Sequence, residues 1–475
     1  MDIKGILSAI APIALFALVA VFVAIFVLVL IYFIYKKRNG KRTLTKGQFF
    51  VSFLILGWFV VVMGLTTFSR GAQFEGLFNF RLFSGYVSAW HNWSLIEFQL
   101  IIFNMLLFVP LGFLLPLLGK SIRRFMPVLL LSLAVTVGIE VFQLLTRRGI
   151  FELDDILHNT IGSIVGYLVV MAILACLERK QVALIPVFKA MAIPLVFTAV
   201  FSGALFAYHT KELGNMSIRP AVPQNMKQVK VELSTALPTT AEPVSLYHND
   251  SIHNVDHARE LGSLLSETFG LHRQGGMRTE SYNRYFHYQN DAGAEYSLIY
   301  QLDQGLWSLR QDNCSNPNPP KKTLLEQRAR YEKWLRSMGL LPTGAVFSIQ
   351  DEHYLRWDAG NPTDITKSNA DHVSGGILIT PSIETDGPCE ILYFMNVNNY
   401  VKKVDINTPA QAYEEIEKGN FERYTDYKPG DHLTVESYTL TYMYDSKGYY
   451  QPVYEFKGTV NGEKWSGHIP AISSN

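Results

Sequence analysis

The sequence predicts an α-helical polytopic membrane bundle of about six transmembrane helices, followed by a soluble α+β domain. Three observations carry this expectation. Six charge-poor apolar stretches, each long enough to cross a bilayer, fall within roughly the first 210 residues. Clusters of Lys and Arg lie directly against their ends. Beyond them the chain turns polar and carries helix caps and tight-turn signals. Charged residues make up only 17% of the 475 and aromatics 13%, averages that merge an apolar front half with an ordinary back half. The net charge of +1, with its basic clusters beside the spans, argues against a nucleic-acid partner.

The first apolar stretch, Ser8 to Tyr35, is longer than a signal-peptide core and reads as a retained span. Lys36, Lys37, Arg38, Lys41, Arg42 and Lys46 follow at once and mark the cytoplasmic side, which puts the N-terminus outside. Further spans are expected at Phe49 to Phe68, Phe98 to Leu118, Phe125 to Leu145, Ile156 to Leu177 and Ala183 to Tyr208. Threaded alternately, they place Lys120, Arg123, Arg124, Arg179 and Lys180 inside. Glu75, Glu97, Glu152, Asp154 and Asp155 fall outside; Arg147 and Arg148, also outside, are the exception. Trp90, Trp93, Phe78, Phe80 and Phe83 read as an aromatic belt at the outer interface.

From Gly214 to about Pro243 the chain is rich in Pro, Thr and Ser and reads as a tether. The rest predicts an extracytoplasmic domain. A helix is signalled over Lys321 to Gly339. A second starts at Thr408 as N-cap, with Pro409 in the first turn and Gln411 closing a capping box, and stops at Gly419. Thr434 to Tyr444 reads as a strand, Asp445 to Gly448 as a turn, and Asn461-Gly462 as a tight hairpin. The domains are therefore expected at 1–65 (the first span and most of the second), 66–177 (a membrane core), 178–213 (the last span), 214–243 (linker) and 244–475. Cys314 and Cys389 would form a disulfide if the last domain lies outside the cytosol; two buried thiols are the alternative.

Polar residues inside spans are costly unless paired, so they are the first place to look for function. Asn104 sits in the third span. Glu140, Gln143 and Arg147 follow at spacings of three and four, which places them on one helical face. Asp155, Asn159, Gly162 and Gly166 share a face of the fifth span, and Gly162 to Gly166 is a small-xxx-small pattern. With alternating spans these groups converge in the outer leaflet, Asp154 and Asp155 at its surface.

The segments Asn104-Met-Leu-Leu-Phe-Val-Pro-Leu-Gly112, Gly138-Ile-Glu140-Val-Phe-Gln143 and Phe151-Glu-Leu-Asp154-Asp155-Ile-Leu-His-Asn159-Thr-Ile-Gly162 resemble the VanZ-like family, named after a protein linked to teicoplanin resistance. The resemblance spans about Thr66 to Leu177 and takes in Thr67, Arg70 and the Asn79-Phe80 region. It implies a membrane core without an established catalytic mechanism. Glu152 stands where the family often has Asp, and the basic-flanked first span and the large outer domain read as additions to a short family core. Within that domain, Ala412-Tyr-Glu-Glu-Ile-Glu-Lys-Gly419 and Gln451-Pro-Val-Tyr-Glu-Phe456 resemble the PepSY-like modules of bacterial envelope regulators.

Two readings of the polar face follow. Glu140, Gln143, Asp155 and Asn159 hydrogen-bond across helices and pair with Arg70, Arg147 or Arg148, or they line a headgroup-sized pocket for an amphiphilic envelope molecule such as a lipid-tailed antibiotic. An enzymatic alternative has Glu140, Asp154 and Asp155 holding a divalent cation or supplying a general base. No catalytic residue is assigned, and no resident metal or cofactor is expected. Gly112, Gly162 and Gly166 are expected to serve helix packing. His158, one step off the Asp155 to Asn159 face, reads as a surface or interfacial residue. The sequence has no Walker loop, HExxH, GxSxG or CxxC motif. The outer domain reads as a module for an envelope protein partner or wall component, and Tyr438, Tyr442, Tyr444, Tyr449 and Tyr450 as half-buried sheet residues. The expected setting is a bacterial cell membrane, crossed several times, with both the N-terminus and the C-terminal domain outside. The ligand is expected to be a membrane lipid or lipid-linked molecule.

Overall fold

The computed structural model describes residues 45–68, 78–314, 321–350, 354–360, 364–382, 387–422 and 427–472, with Lys37 and Ala72. They divide into a helical unit that ends at Thr210 and a β-rich unit from Lys211 onward that also takes in His91–Trp93.

Leu, Ile, Val and Phe dominate the long helices of the first unit, which satisfy their own backbone groups and so can sit in lipid. Helix α1 (Lys46–Met63) begins at Thr45, whose hydroxyl accepts from the Gln48 N–H while the Gln48 side chain accepts from the Thr45 N–H. It runs into a π turn, Gly64–Phe68. A short helix, α2 (Ser84–His91), precedes α3 (Leu95–Leu114), which is capped by Ser94 and contains Pro110. Then come α4 (Phe125–Leu145), α5 (Leu153–Arg179) and α6 (Leu184–Thr210). Among the described residues five helices, α1 with its π turn and α3 to α6, are long and apolar enough to cross a membrane. The sixth expected span, Ser8 to Tyr35, lies outside the described residues. Val62, Phe108, Leu111, Val128 and Ile139 form the core between helices. The Trp58 indole N–H donates to the Leu107 carbonyl at 2.5 Å.

Two-residue strands β1 (Phe78–Asn79) and β2 (Phe151–Glu152) pair in parallel and tie the loop before α2 to the start of α5. Both strands had gone unread in the sequence, as had α2.

The β-rich unit holds two sheets. The first has eight strands: β5 (Leu271–Glu280), β6 (Asn283–Asn290), β7 (Glu295–Gln301), β8 (Leu306–Gln311), β9 (Val346–Gln350), β10 (Tyr354–Asp358), β12 (Gly376–Pro381) and β13 (Pro388–Tyr393). Their spatial order is 5-6-7-8-13-12-10-9, antiparallel throughout. Alternate residues such as Leu298, Leu309, Ile391 and Ile379 point into a core shared with α7 (Val255–Phe269) and α8 (Lys321–Ser337). Cys314 and Cys389 form a disulfide with Cα atoms 5.6 Å apart.

The second sheet orders β11 (His372–Ser374), β14 (Asn396–Val404), β4 (Val244–His248), β16 (Tyr449–Val460), β15 (His432–Tyr444) and β3 (Lys230–Leu233), with β17 (Glu463–Pro470) also paired to β16. Helix α9 (Pro409–Glu417) starts with the expected capping box and packs Ala412, Tyr413 and Ile416 onto Leu433, Val435 and Phe456. The expected hairpin is there too: Asn461 and Gly462 both have positive φ between β16 and β17.

Part of residues 214–243 is packed where a tether was expected. Strand β3 extends the second sheet in parallel with the start of β15, and Met216 and Ile218 are buried against Val453. Pro-rich, aperiodic sequence signals a lack of regular repeat, which this segment combines with burial at a few points and exposure over most of 232–243.

Candidate functional site

The middle of α3, the last turns of α4 and the first turns of α5 gather most of the polar residues singled out from the sequence, and glycine brings two of these helices together. A Cβ at Gly112 would stand 1.8 Å from the Ser163 carbonyl oxygen, one at Gly162 1.9 Å from that of Met105, and one at Gly166 2.0 Å from that of Val109. Helices α3 and α5 thus meet backbone to backbone, which only glycine permits.

This approach brings short polar side chains within reach. The Asn104 amide donates to Asp155 Oδ1 at 2.7 Å, joining α3 to α5, and the Asn159 amide donates to the Thr136 hydroxyl at 2.9 Å, joining α5 to α4. The Ser163 hydroxyl donates to the Phe108 carbonyl at 3.3 Å. Gln143 donates to the Thr66 carbonyl at 3.4 Å, reaching the π turn after α1.

A second set organises the loop before α2. Asp154, buried, accepts from the Phe83 N–H at 2.5 Å, the Gly85 N–H at 2.8 Å and the Ser84 hydroxyl at 3.1 Å. The carboxylate therefore caps α2 from another helix and complements its N-terminal dipole. Glu140, 1% exposed, accepts from the Glu152 N–H at 3.2 Å, and Asn79 donates to both Ser84 Oγ at 2.7 Å and Glu152 Oε1 at 3.4 Å. A chain of contacts thus runs from Glu140 through Glu152, Asn79 and Ser84 to Asp154. The acids of the motifs hold a loop in place as well as joining helices.

Two expectations change. Arg147 was placed on the face of Glu140 and Gln143, but α4 ends at Leu145 and Arg147 lies in a left-handed turn, exposed. The Gly149 that follows packs on Gln143, so the chain turns back before a further helical turn forms. His158, expected at the surface, is 2% exposed, and neither ring nitrogen has a hydrogen-bond partner among the described residues. Its ring packs edge-on against Tyr86, with centroids 5.3 Å apart. The signal for it was the four-residue spacing from Asp154, which puts the two on one face next to that of Asp155 and Asn159. Arg70 lies outside the described residues. Phe78 and Phe80 stack at 5.5 Å, flank Phe151 and stay more than half exposed. Among the described residues no group of three His, Cys, Asp or Glu side chains is placed to hold a metal ion.

Residues 21–175 match the VanZ/LLP1 family. The helical unit carries a VanZ-like domain. The matched segment is about a third of the chain and starts well before Thr66. The basic-flanked region that read as an addition therefore falls partly inside the VanZ-like domain; it is apolar and basic without a distinctive motif, so its membership was not legible. No match was found among curated protein sequences. Solved structures with similarity include the Bacillus megaterium YpeB C-terminal domain, 12% identical over 46% of this chain and 93% of that one, with a TM-score of 0.20. Another is an uncharacterized protein from Eubacterium rectale, 11% identical over 52% and 90%, with a TM-score of 0.22. Residues 412–419 and 451–456 fall on α9 and its end and on β16, which share one core.

Proposed function

We propose that the VanZ-like domain binds or shields the polar head of an amphiphilic envelope molecule, a membrane lipid or lipid-linked compound, at the outer ends of α3 to α5. In this reading the protein sits in a bacterial cell membrane with its N-terminus and β-rich unit outside, as the placement of basic residues supports. The observation that carries the proposal is His158. Its two ring nitrogens are buried without partners among the described residues, although Asp154 near it and Asp155, Asn104 and Asn159 of the same helices are all bonded. An unmet buried polar atom costs about 1–3 kcal/mol, which a bound hydroxyl or phosphoryl group would recover. The engagement of Asp154 and Asp155 in structural hydrogen bonds favours binding over acid-base catalysis. A lipid-tailed glycopeptide such as teicoplanin has the required chemistry, and lowered susceptibility to it is the proposed role.

The test is the teicoplanin susceptibility of a sensitive Gram-positive host expressing wild type, Glu140→Gln, Asp155→Asn or His158→Phe, with membrane levels matched. The phenylalanine fills the imidazole's place without a polar atom. Tolerance from the wild type that His158→Phe loses at equal abundance supports the proposal. Full tolerance in His158→Phe, or none from the wild type, defeats it.

A further inference from the structure

In the β-rich unit three turns converge on a cleft of about 370 Å³, within the range of small-molecule sites. The turn between β5 and β6 supplies Tyr282, the turn after β7 supplies Asp303, and the ends of β15 and β16 supply Tyr442, Tyr444 and Tyr450. His253, just before α7, completes the wall. Tyr450 packs against Tyr442 at 5.2 Å and Tyr444 at 4.6 Å, while Tyr282 lies 6.1 Å from the His253 ring and is 43% exposed.

The wall is held in a strained form. His253 and Ser281 are non-glycine residues with φ of 55° and 49°. The His253 N–H donates to the Leu302 carbonyl at 2.6 Å, which fixes Asp303 beside the histidine. Gly305 packs against Ser251 so closely that a Cβ would stand 2.3 Å from its hydroxyl, locking the same turn.

The polar groups of the wall divide into used and unused. The hydroxyl of Tyr442 donates to the Ser245 carbonyl at 2.8 Å, and that of Tyr444 donates to Asn398 Oδ1 at 2.7 Å. Asp445 accepts from the N–H groups of Gly214, Lys447 and Tyr449. By contrast, the Asp303 carboxylate, the Tyr450 hydroxyl and the His253 ring have no hydrogen-bond partner among the described residues. The nearby ammonium groups of Lys211 and Lys447 are turned onto Asn215 Oδ1 and the Lys211 carbonyl. Burial lowers the His253 pKa against the opposing pull of Asp303 and Asp445, so at neutral pH the ring keeps an acceptor nitrogen.

The geometry points to a site for a primary ammonium group, with the Asp303 carboxylate, Tyr450 hydroxyl and His253 ring taking its three N–H donors and the tyrosine rings covering its alkyl stem. An ammonium has three donors and no acceptor, which matches three acceptors, one of them anionic. Aromatic faces add cation–π attraction. The group can come from a lysine-like side chain or from an ethanolamine headgroup.

The experiment is calorimetric titration of the full-length protein in detergent micelles with Nα-acetyl-lysine methylamide, its Nε-acetylated analogue and glycerophosphoethanolamine. Saturable binding of at least one amine, absent with the acetylated analogue and weakened about tenfold or more by Asp303→Asn, is the expected result. Which amine binds more tightly identifies the source. Tyr450→Phe, which removes one oxygen, should weaken binding by a smaller factor while the thermal transition stays in place. No saturable binding by either amine, equal binding of the acetylated analogue, or unchanged affinity in a folded Asp303→Asn protein overturns the assignment. None of these outcomes depends on the fate of the teicoplanin experiment.

Discussion

Adding one methyl group at Gly162 should damage the bundle far more than its size suggests. The new Cβ would lie 1.9 Å from the Met105 carbonyl oxygen. Ordinary contact needs about 3.4 Å or more, so α3 and α5 must part by about 1.5 Å, since rigid backbone is what blocks the methyl. Overpacking alone costs about 1–3 kcal/mol. The separation also stretches the 2.7 Å Asn104–Asp155 bond and the 3.3 Å Ser163–Phe108 bond, each contributing about 1 kcal/mol. The expected loss for Gly162→Ala is therefore about 3 kcal/mol, and Gly166→Ala and Gly112→Ala should behave alike. Gly138, in α4, has nothing within 4 Å of its Cβ position. Gly138→Ala should leave stability unchanged or raise it by about 0.5–1 kcal/mol through helix propensity. The assay is equilibrium unfolding of the purified protein in mixed micelles with rising SDS, followed by circular dichroism at helical wavelengths. Equal midpoints for Gly162→Ala and Gly138→Ala would refute the close-approach argument.

Two further outcomes test the β-rich unit. His468 and Glu422 form a half-buried pair whose hydrogen bond raises the histidine pKa above its ordinary 6.5; burial opposes the ionised Glu422, but the bonds from His468 outweigh it and hold the acid below its ordinary 4.5. Stabilisation from His468 is complete below 6.5 and fades as pH rises through its raised value. That from Glu422 is complete above 4.5 and fades as pH falls through its lowered value. Thermal unfolding should thus show the pair's full contribution between pH 4.5 and 6.5, and His468→Gln should flatten the decline on the alkaline side of that window; an unchanged pH profile would remove the pair from the account. Reducing the Cys314–Cys389 disulfide, which closes a sequence separation of 75, should lower the unit's stability by about 2–4 kcal/mol. On intact cells a membrane-impermeant phosphine followed by an impermeant maleimide should label both sulfurs, whereas an absence of labelling would place the unit on the inner side.

What was legible in the sequence was local. The five apolar helices after Thr45, the capping box at Thr408 and the Asn461-Gly462 hairpin depend on residues a few positions apart, and the structure has each of these. Assembly was less legible. The eight-stranded sheet joins β8 to β13 across about eighty residues, through a register no short-range pattern encodes. Helix α7, with Asn254 accepting from two amides at its start, went unread although its cap is of an ordinary kind. Tyr442 was expected to be a half-buried sheet residue and is 6% exposed, with its hydroxyl bonded to a carbonyl of another strand. Arg147 shows the opposite failure, because helical spacing was extended past the point where the chain turns.

The sequence locates polar residues within apolar helices but cannot sort them, because cost in lipid is a property of the residue and relief from that cost is a property of its neighbours. Asp154 and Glu140 are the most functional-looking acids in the sequence, yet each is engaged in holding the chain around α2 and β2. His158, read from the sequence as a surface residue, is one of the buried groups whose cost the fold leaves unmet, and both of its ring nitrogens are without a partner among the described residues. The same criterion divides the cleft of the β-rich unit: Asp445 is bonded on every side, while Asp303, held beside the strained His253 through the Leu302 carbonyl, is not. A buried or half-buried polar group whose needs are met by its own fold gains little from a ligand, and one left without a partner gains the whole bond. On that ground His158 and Asp303 should respond to substitution in binding before stability, and Asp154 and Asp445 in stability before binding.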